Sequence, residues 1–353
     1  MLNKYFNGLA ERPSGDFKRL KWEDILYCMS FCVILIKREI KKESCMNKKK
    51  TIFALGALAG VSITYFSLCQ RLYNNVLKGH NKPAKTKDET DYSVLDSRRQ
   101  AGQVWAETTE HAIVYISSFD HLKLAGYQFL SPGSDKWVII VHGYQSEAKY
   151  VFQNGKEFYD RGFNVLIVDC RGHGLSEGDY IGMGWHDRLD VMKWIEHILL
   201  RYPSAQIVLY GISMGAATVM MTTGEDLPSN VVCAIEDCGY SNLYDVFADQ
   251  IKKLYHLPPI SVLAGIDCVM RSKAGYSIGE VDTIKQLRKS KTPTLFIHGQ
   301  EDDFVPFTMV FENYNACAAP KEIITASRAG HALSQTKPYY YLKVFEFIDH
   351  YIK

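Results

Sequence analysis

The sequence predicts an α/β fold, a mostly parallel eight-stranded sheet with helices on both faces. Three observations carry that expectation. Short apolar or alternating runs of strand length recur at 112–117, 122–130, 137–142, 164–169, 206–211, 231–236, 294–298 and 322–325. Segments with helical spacing lie between most of the later runs, near 148–161, 185–202, 214–224, 307–316 and 337–351. The connections are short, as in strand–helix–strand units whose crossovers return the chain parallel to itself.

The elements divide the 353 residues into four parts. Residues 1–50 form a cytoplasmic amino-terminal segment rich in Lys37, Arg38, Lys41 and Lys42. Its apolar run at 25–36 is too short to cross a bilayer. The sequence Met46-Asn47-Lys48-Lys49-Lys50 is itself a normal start for an anchored or secreted protein, so 1–45 reads as an over-extended start. Residues 51–69 are uncharged over about a bilayer's width and follow three lysines, which predicts a signal-anchor with its amino terminus inside and the domain outside. The alternative is secretion after cleavage of a signal peptide. Phe66-Ser67-Leu68-Cys69-Gln70 lacks the alternating small residues of a cleavage site, and Leu68 before Cys69 fits a lipobox poorly. Residues 70–105, polar and lysine-bearing from 78 to 99, read as a linker. Residues 106–353 are then one catalytic-sized domain.

Within that domain the chemistry concentrates at Gly211-Ile212-Ser213-Met214-Gly215, which follows one strand and opens a helix. The glycines fit because a serine held in a strained turn leaves no room for a neighbouring Cβ. The same turn aims the Met214 amide where an oxyanion would develop. A serine nucleophile needs a general base, and the base an orienting acid. Downstream, the strand 294–298 runs into Gly299-Gln300-Glu301-Asp302-Asp303-Phe304-Val305-Pro306, offering Asp302 or Asp303 as the acid. Gly330-His331 follows the last strand and supplies the base, His331.

Four ordered motifs resemble the α/β-hydrolase superfamily, in particular bacterial serine hydrolases near the monoglyceride lipases and serine aminopeptidase-like proteins. They are His142-Gly143-Tyr144, the Asp169–Gly178 loop with Arg171 and His173, the Ser213 elbow, and Asp302 with His331. The resemblance covers roughly residues 110 to 353. It implies Asp302 over Asp303 as the acid and the Tyr144 amide as the second oxyanion donor. His142, Arg171, His173 and His298 read as structural braces at strand ends.

One interval interrupts the strand–helix rhythm. Between 236 and 294 the chain carries large apolar residues, and the spacing of Leu243, Tyr244, Phe247, Ile251 and Leu254 favours packed helices. A small helical cap at about 240–285 is expected, walling an apolar acyl pocket.

The function expected is an acyl-enzyme serine hydrolase acting on small carboxylic esters, anchored in a membrane. A peptidase or amidase could use the same three residues. A non-catalytic binding protein on the same scaffold is the alternative from another class. A net charge of +2 offers no basic face for nucleic acid. The domain's cysteines, Cys170, Cys233, Cys238, Cys268 and Cys317, are odd in number and lack C-x-x-C spacing, so neither disulfide framework nor zinc site is expected. No cofactor motif is present, and no cofactor or metal is expected.

Overall fold

The computed structural model describes residues 48–79, 93–256 and 258–353, apart from the side chains of 48–55, 57–59, 93, 94 and 255. The expectations for residues 1–47 lie outside the described residues. The strands are β1 (Ala112–Ser117), β2 (Lys123–Phe129), β3 (Lys136–Val141), β4 (Asn164–Val168), β5 (Gln206–Ile212), β6 (Val231–Asp237), β7 (Thr294–Gly299) and β8 (Lys321–Ala326). They form one sheet in the order β1-β2-β4-β3-β5-β6-β7-β8. β2 runs antiparallel to β1 and β4, and every other pairing is parallel. The eight runs read from the sequence are these eight strands, shifted by at most two residues at their ends.

The helices in chain order are α1 (Lys48–Val76), α2 (Ser93–Thr108), α3 (Phe152–Tyr159), α4 (Asp187–Arg201), α5 (Met214–Thr223), α6 (Leu243–Tyr255), α7 (Pro259–Lys273), α8 (Thr283–Leu287), α9 (Thr308–Ala316) and α10 (Tyr340–Asp349). The twofold period of the strands splits the core in two. In β3, Trp137, Ile139 and Val141 join α4, α5 and α7 on one face, while Val138 and Ile140 join α2, α3 and α10 on the other. Because both faces are covered, these strands read as continuous apolar runs rather than as alternation. Each fully buried aliphatic side chain contributes about 1.5–3 kcal/mol relative to exposure.

The expected cap is the pair α6 and α7 with the turn leading to α8. Asn242 starts α6 by accepting the Asp245 amide at 2.8 Å, and Pro259 starts α7 at a position that needs no N–H. The Tyr240 and Tyr276 hydroxyls donate to the carbonyls of Met183 and Ile181, at 2.8 and 2.9 Å, fixing the cap to the loop after β4.

The amino-terminal part differs from the linker expectation. Residues 70–76 continue α1, and Cys69, Leu72, Tyr73 and Leu77 are buried in the same core cluster as Val262, Leu263 and Ile266 of the cap. Residues 93–108 form α2, whose Gly102 lies so close to the start of α3 that a Cβ there would meet the Gln153 amide nitrogen at 2.3 Å. The intervals flanking 80–92 are therefore packed walls. Among the described residues, no helix is long and apolar enough to cross a membrane. Part of the 51–69 span lies outside the described side chains.

Candidate active site

β5 ends and α5 begins at Ser213, whose backbone sits at φ +56°, ψ −116°, a region that L side chains rarely occupy. The flanking glycines have no room for a side chain. A Cβ at Gly211 would lie 2.2 Å from the Gly215 carbonyl oxygen, and one at Gly215 would lie 2.0 Å from that of Val141. The Ser213 amide donates to the Asp237 carbonyl at 2.8 Å, which fixes the turn to β6. Met214 is the first residue of α5, where amides have no intrahelical acceptor.

The candidate acid and base approach from two other strand ends. His331 Nε2 is 2.8 Å from Ser213 Oγ, and His331 Nδ1 is 2.7 Å from Asp302 Oδ2. Asp302 Oδ1 accepts the amides of Phe304 at 3.0 Å and Val305 at 2.8 Å. Burial alone would raise the Asp302 carboxyl pKa, but the His331 and His298 imidazoles hold it far below the usual carboxylate range. The Ser213 and Asp302 side chains are buried, while His331 keeps an exposed edge beneath the Phe304 ring, 5.0 Å away. Asp303 points outward; its carbonyl accepts Lys253 Nζ of α6 at 2.6 Å. The structure thus brings Asp302, and not its neighbour, to His331.

The His142-Gly143-Tyr144 turn lies on the other side of the serine. A Cβ at Gly143 would be 3.3 Å from Ser213 Cβ. His142 is fully buried with its pKa pushed down to about 4 by burial, so it is neutral. Its Nδ1 is 2.7 Å from the Gly143 carbonyl and its Nε2 accepts the Cys170 amide at 3.1 Å, tying this turn to the end of β4. Arg171, also buried, bridges Asp190 and Asp120 through paired hydrogen bonds of 2.8–3.2 Å. His173 Nδ1 faces the Arg171 carbonyl at 3.0 Å. All three act as braces in the geometry, as their positions at strand ends suggest.

The motifs marked His298 as a brace without its partners, and gave no sign of two further groupings. His298 Nε2 lies 3.1 Å from Asp302 Oδ2 and 3.2 Å from the Val305 carbonyl, so this imidazole braces the acid loop. The Asp169 carboxylate accepts the amides of Ala148 at 2.7 Å and Leu175 at 2.9 Å, joining two loops that flank the site. Cys238, Asp302 and His331 have ligand atoms within 4.8 Å of one another. That group makes a poor metal centre, because burial pushes the Cys238 thiol well above its usual pKa and the other two are engaged with each other.

Comparison with known proteins agrees with this fold. The model of the serine aminopeptidase, S33 family matches residues 132–236. The AB hydrolase superfamily protein YisY of Bacillus subtilis is 20% identical over 262 residues, covering 64% of this chain and 91% of YisY. The solved structure of the Pyrococcus furiosus esterase Pf2001 superposes with a TM-score of 0.58 at 24% identity, over 77% of this chain and 99% of the esterase. The chain has the α/β-hydrolase fold, and its residues 132–236 are similar to the serine aminopeptidase, S33 family of that superfamily. The uncharacterized protein YqkD of Bacillus subtilis is similar over more of the chain, 26% identical across 85% of it and 97% of YqkD. The family match includes the His142 turn, the Arg171 loop and the Ser213 elbow. Asp302 and His331 lie beyond it, and their place beside Ser213 rests on the distances above.

Proposed function

We propose that the protein is a serine hydrolase that cleaves small carboxylic esters through an acyl-enzyme. The observation that carries this reading is the continuous hydrogen-bonded relay from Ser213 through His331 to Asp302, at 2.8 and 2.7 Å. Ser213 Oγ attacks the ester carbonyl carbon as His331 Nε2 takes its proton, while Asp302 holds the imidazole in the required tautomer. The carbonyl oxygen, now negative, receives the amides of Met214 and Tyr144. Collapse of this intermediate breaks the bond to the alcohol, which leaves with the proton from His331. Water then gives a proton to His331 and attacks the acyl carbon; the bond to Ser213 Oγ breaks, His331 returns the proton to Oγ, and the acid leaves.

The similar Pyrococcus furiosus protein is an esterase, which supports an ester of a small molecule as the substrate class. The apolar cap helices support an acyl group as the part recognised. The family description, a serine aminopeptidase, favours an amide substrate as the second reading, since the same groups can expel an amine. Assaying the full-length protein against p-nitrophenyl and glyceryl esters of graded length, and against aminoacyl anilides, separates the two. Ester turnover exceeding anilide turnover by at least tenfold is expected; the reverse ranking makes the protein a peptidase.

Anchoring in the membrane with the domain outside is part of the same proposal. It is supported by Lys48-Lys49-Lys50 before the uncharged residues 51–69, whose carboxyl end, Tyr65 to Cys69, rests on the cap and so lies on the domain's side of the bilayer. Protease added to intact protoplasts is expected to remove the catalytic domain. Its protection there, or a mature chain starting near Gln70, would replace this topology by a cytoplasmic or a secreted one.

A further inference from the structure

The oxyanion turn is held by a part of the chain far from every catalytic motif. The Tyr144 hydroxyl donates to the carbonyl of Val76, at the end of α1, at 2.6 Å. Gln145, in the left-handed region at φ +52°, donates its side-chain amide to the same hydroxyl at 3.0 Å. The last carbonyls of a helix have no intrahelical donor, so Val76 offers an acceptor whose position depends on where α1 ends.

That end is fixed on several sides. The Ile181 amide donates to Leu77 at 2.8 Å, the Gly79 amide donates to Asp179 at 3.1 Å, and Lys78 pairs with Tyr180 in an antiparallel bridge. Gly79 is so close to the 172–179 loop that a Cβ there would lie 2.5 Å from the Gly178 carbonyl. Two to three turns earlier, α1 lies on the cap. The Tyr65 hydroxyl donates to the Ser261 carbonyl, and Cys69 Sγ sits where a Cβ on Gly265 would be.

We propose that the carboxyl end of α1 is a positioning element of the oxyanion hole. Val76 holds Tyr144 by its hydroxyl, and the ring fixes the peptide whose N–H faces the developing oxyanion. The inference rests on the proposed role of the Tyr144 amide. It makes residues 65–79 a strap joining the cap, the loop after β4 and the active site, so that displacement of α1 is felt in transition-state stabilisation. Tyr144 is a positioning residue through its side chain and a catalytic one only through its backbone.

The test uses the full-length protein, p-nitrophenyl acetate and a trifluoromethyl ketone that forms a tetrahedral adduct with a reactive serine. Tyr144→Phe keeps the amide and the ring and removes only the hydroxyl. Its kcat should fall roughly threefold to tenfold, the scale of one neutral hydrogen bond. KM should stay within about twofold, because ground-state binding does not use the oxyanion contact, and the ketone Ki should rise by the same factor as kcat falls. Gly79→Val loosens the same seam from the other side and should reproduce the pattern. The double variant should be no worse than the weaker single one, since both act through one contact. Wild-type kcat and Ki in Tyr144→Phe overturn the proposal, as do additive losses or a rise in KM matching the fall in kcat. Ser213→Ala is run alongside: if it retains hydrolysis, the functional reading itself fails, whereas an inactive Ser213→Ala beside an unaffected Tyr144→Phe removes only the strap.

Discussion

The two sides of Ser213 are built by different means. On the acid–base side, Asp302 and His331 come from loops that follow adjacent strands, and their bonds are local: Asp302 Oδ1 takes amides two and three residues ahead, and His298 braces it from four residues behind. On the side proposed to bind the oxyanion, Tyr144 hangs on Val76, 68 residues away in sequence, and His142 on Cys170, 28 residues away. A site half made of short loops and half of distant supports should respond unequally to change. Substitutions on the first side remove chemistry, and those on the second detune it.

The largest effects are therefore expected on the acid–base side. Ser213→Ala or His331→Ala should lower kcat by about four to six orders of magnitude, measured with any ester the wild type turns over. Asp302→Asn should cost roughly 10³- to 10⁴-fold, whereas Asp303→Asn, whose side chain points outward, should stay within about threefold. Equal losses would mean that the two acids share the role.

The elbow itself should break by sterics rather than by chemistry. Gly215→Ala forces a methyl to within 2.0 Å of the Val141 oxygen and should destabilise the domain by at least about 1–3 kcal/mol, read as a fall in Tm. Gly279→Ala meets nothing within 4 Å and should leave Tm nearly unchanged, so a matching fall there would remove the steric explanation.

The smallest effect sharpens the oxyanion side through pH. His142 has its pKa lowered from 6.5 to about 4 by burial, so between those values the unfolded chain binds a proton that the native one does not. Stability linked to His142 is thus fully present above pH 6.5 and is lost as the pH falls toward 4. The slope is about 1.4 kcal/mol per pH unit where one proton separates the states. Denaturant titrations of His142→Gln between pH 7 and 4 should show that slope reduced by about one proton, and an unchanged slope would place the titration elsewhere.

What the sequence reveals follows the same division. The strands were legible because both sheet faces are covered, so β3 to β7 are largely apolar runs that end beside histidine, glycine or acid. The Ser213 elbow was legible because two glycines are obligatory where Cβ atoms would collide with Val141 and Gly215. Asp302 could be told from Asp303 only by resemblance, since nothing local says which of two adjacent carboxylates turns inward. The role of residues 69–79 was hidden by their neighbours: Cys69, Leu72, Tyr73, Val76 and Leu77 recur at helical spacing, but the polar, lysine-bearing residues from 78 onward made the whole of 70–105 read as a tether. Burial within 69–79 comes from Leu72, Tyr73 and Leu77 meeting a cap and loop distant in sequence. Tyr144 was singled out for its amide, and nothing in its neighbourhood marks the hydroxyl's partner.

The account stands first on Ser213 as the nucleophile. Full-length protein treated with a fluorophosphonate, digested and mapped by mass spectrometry should carry the adduct on the peptide containing Ser213, with no labelling of Ser213→Ala. An adduct on another residue, or equal labelling of the Ser213→Ala protein, would contradict it.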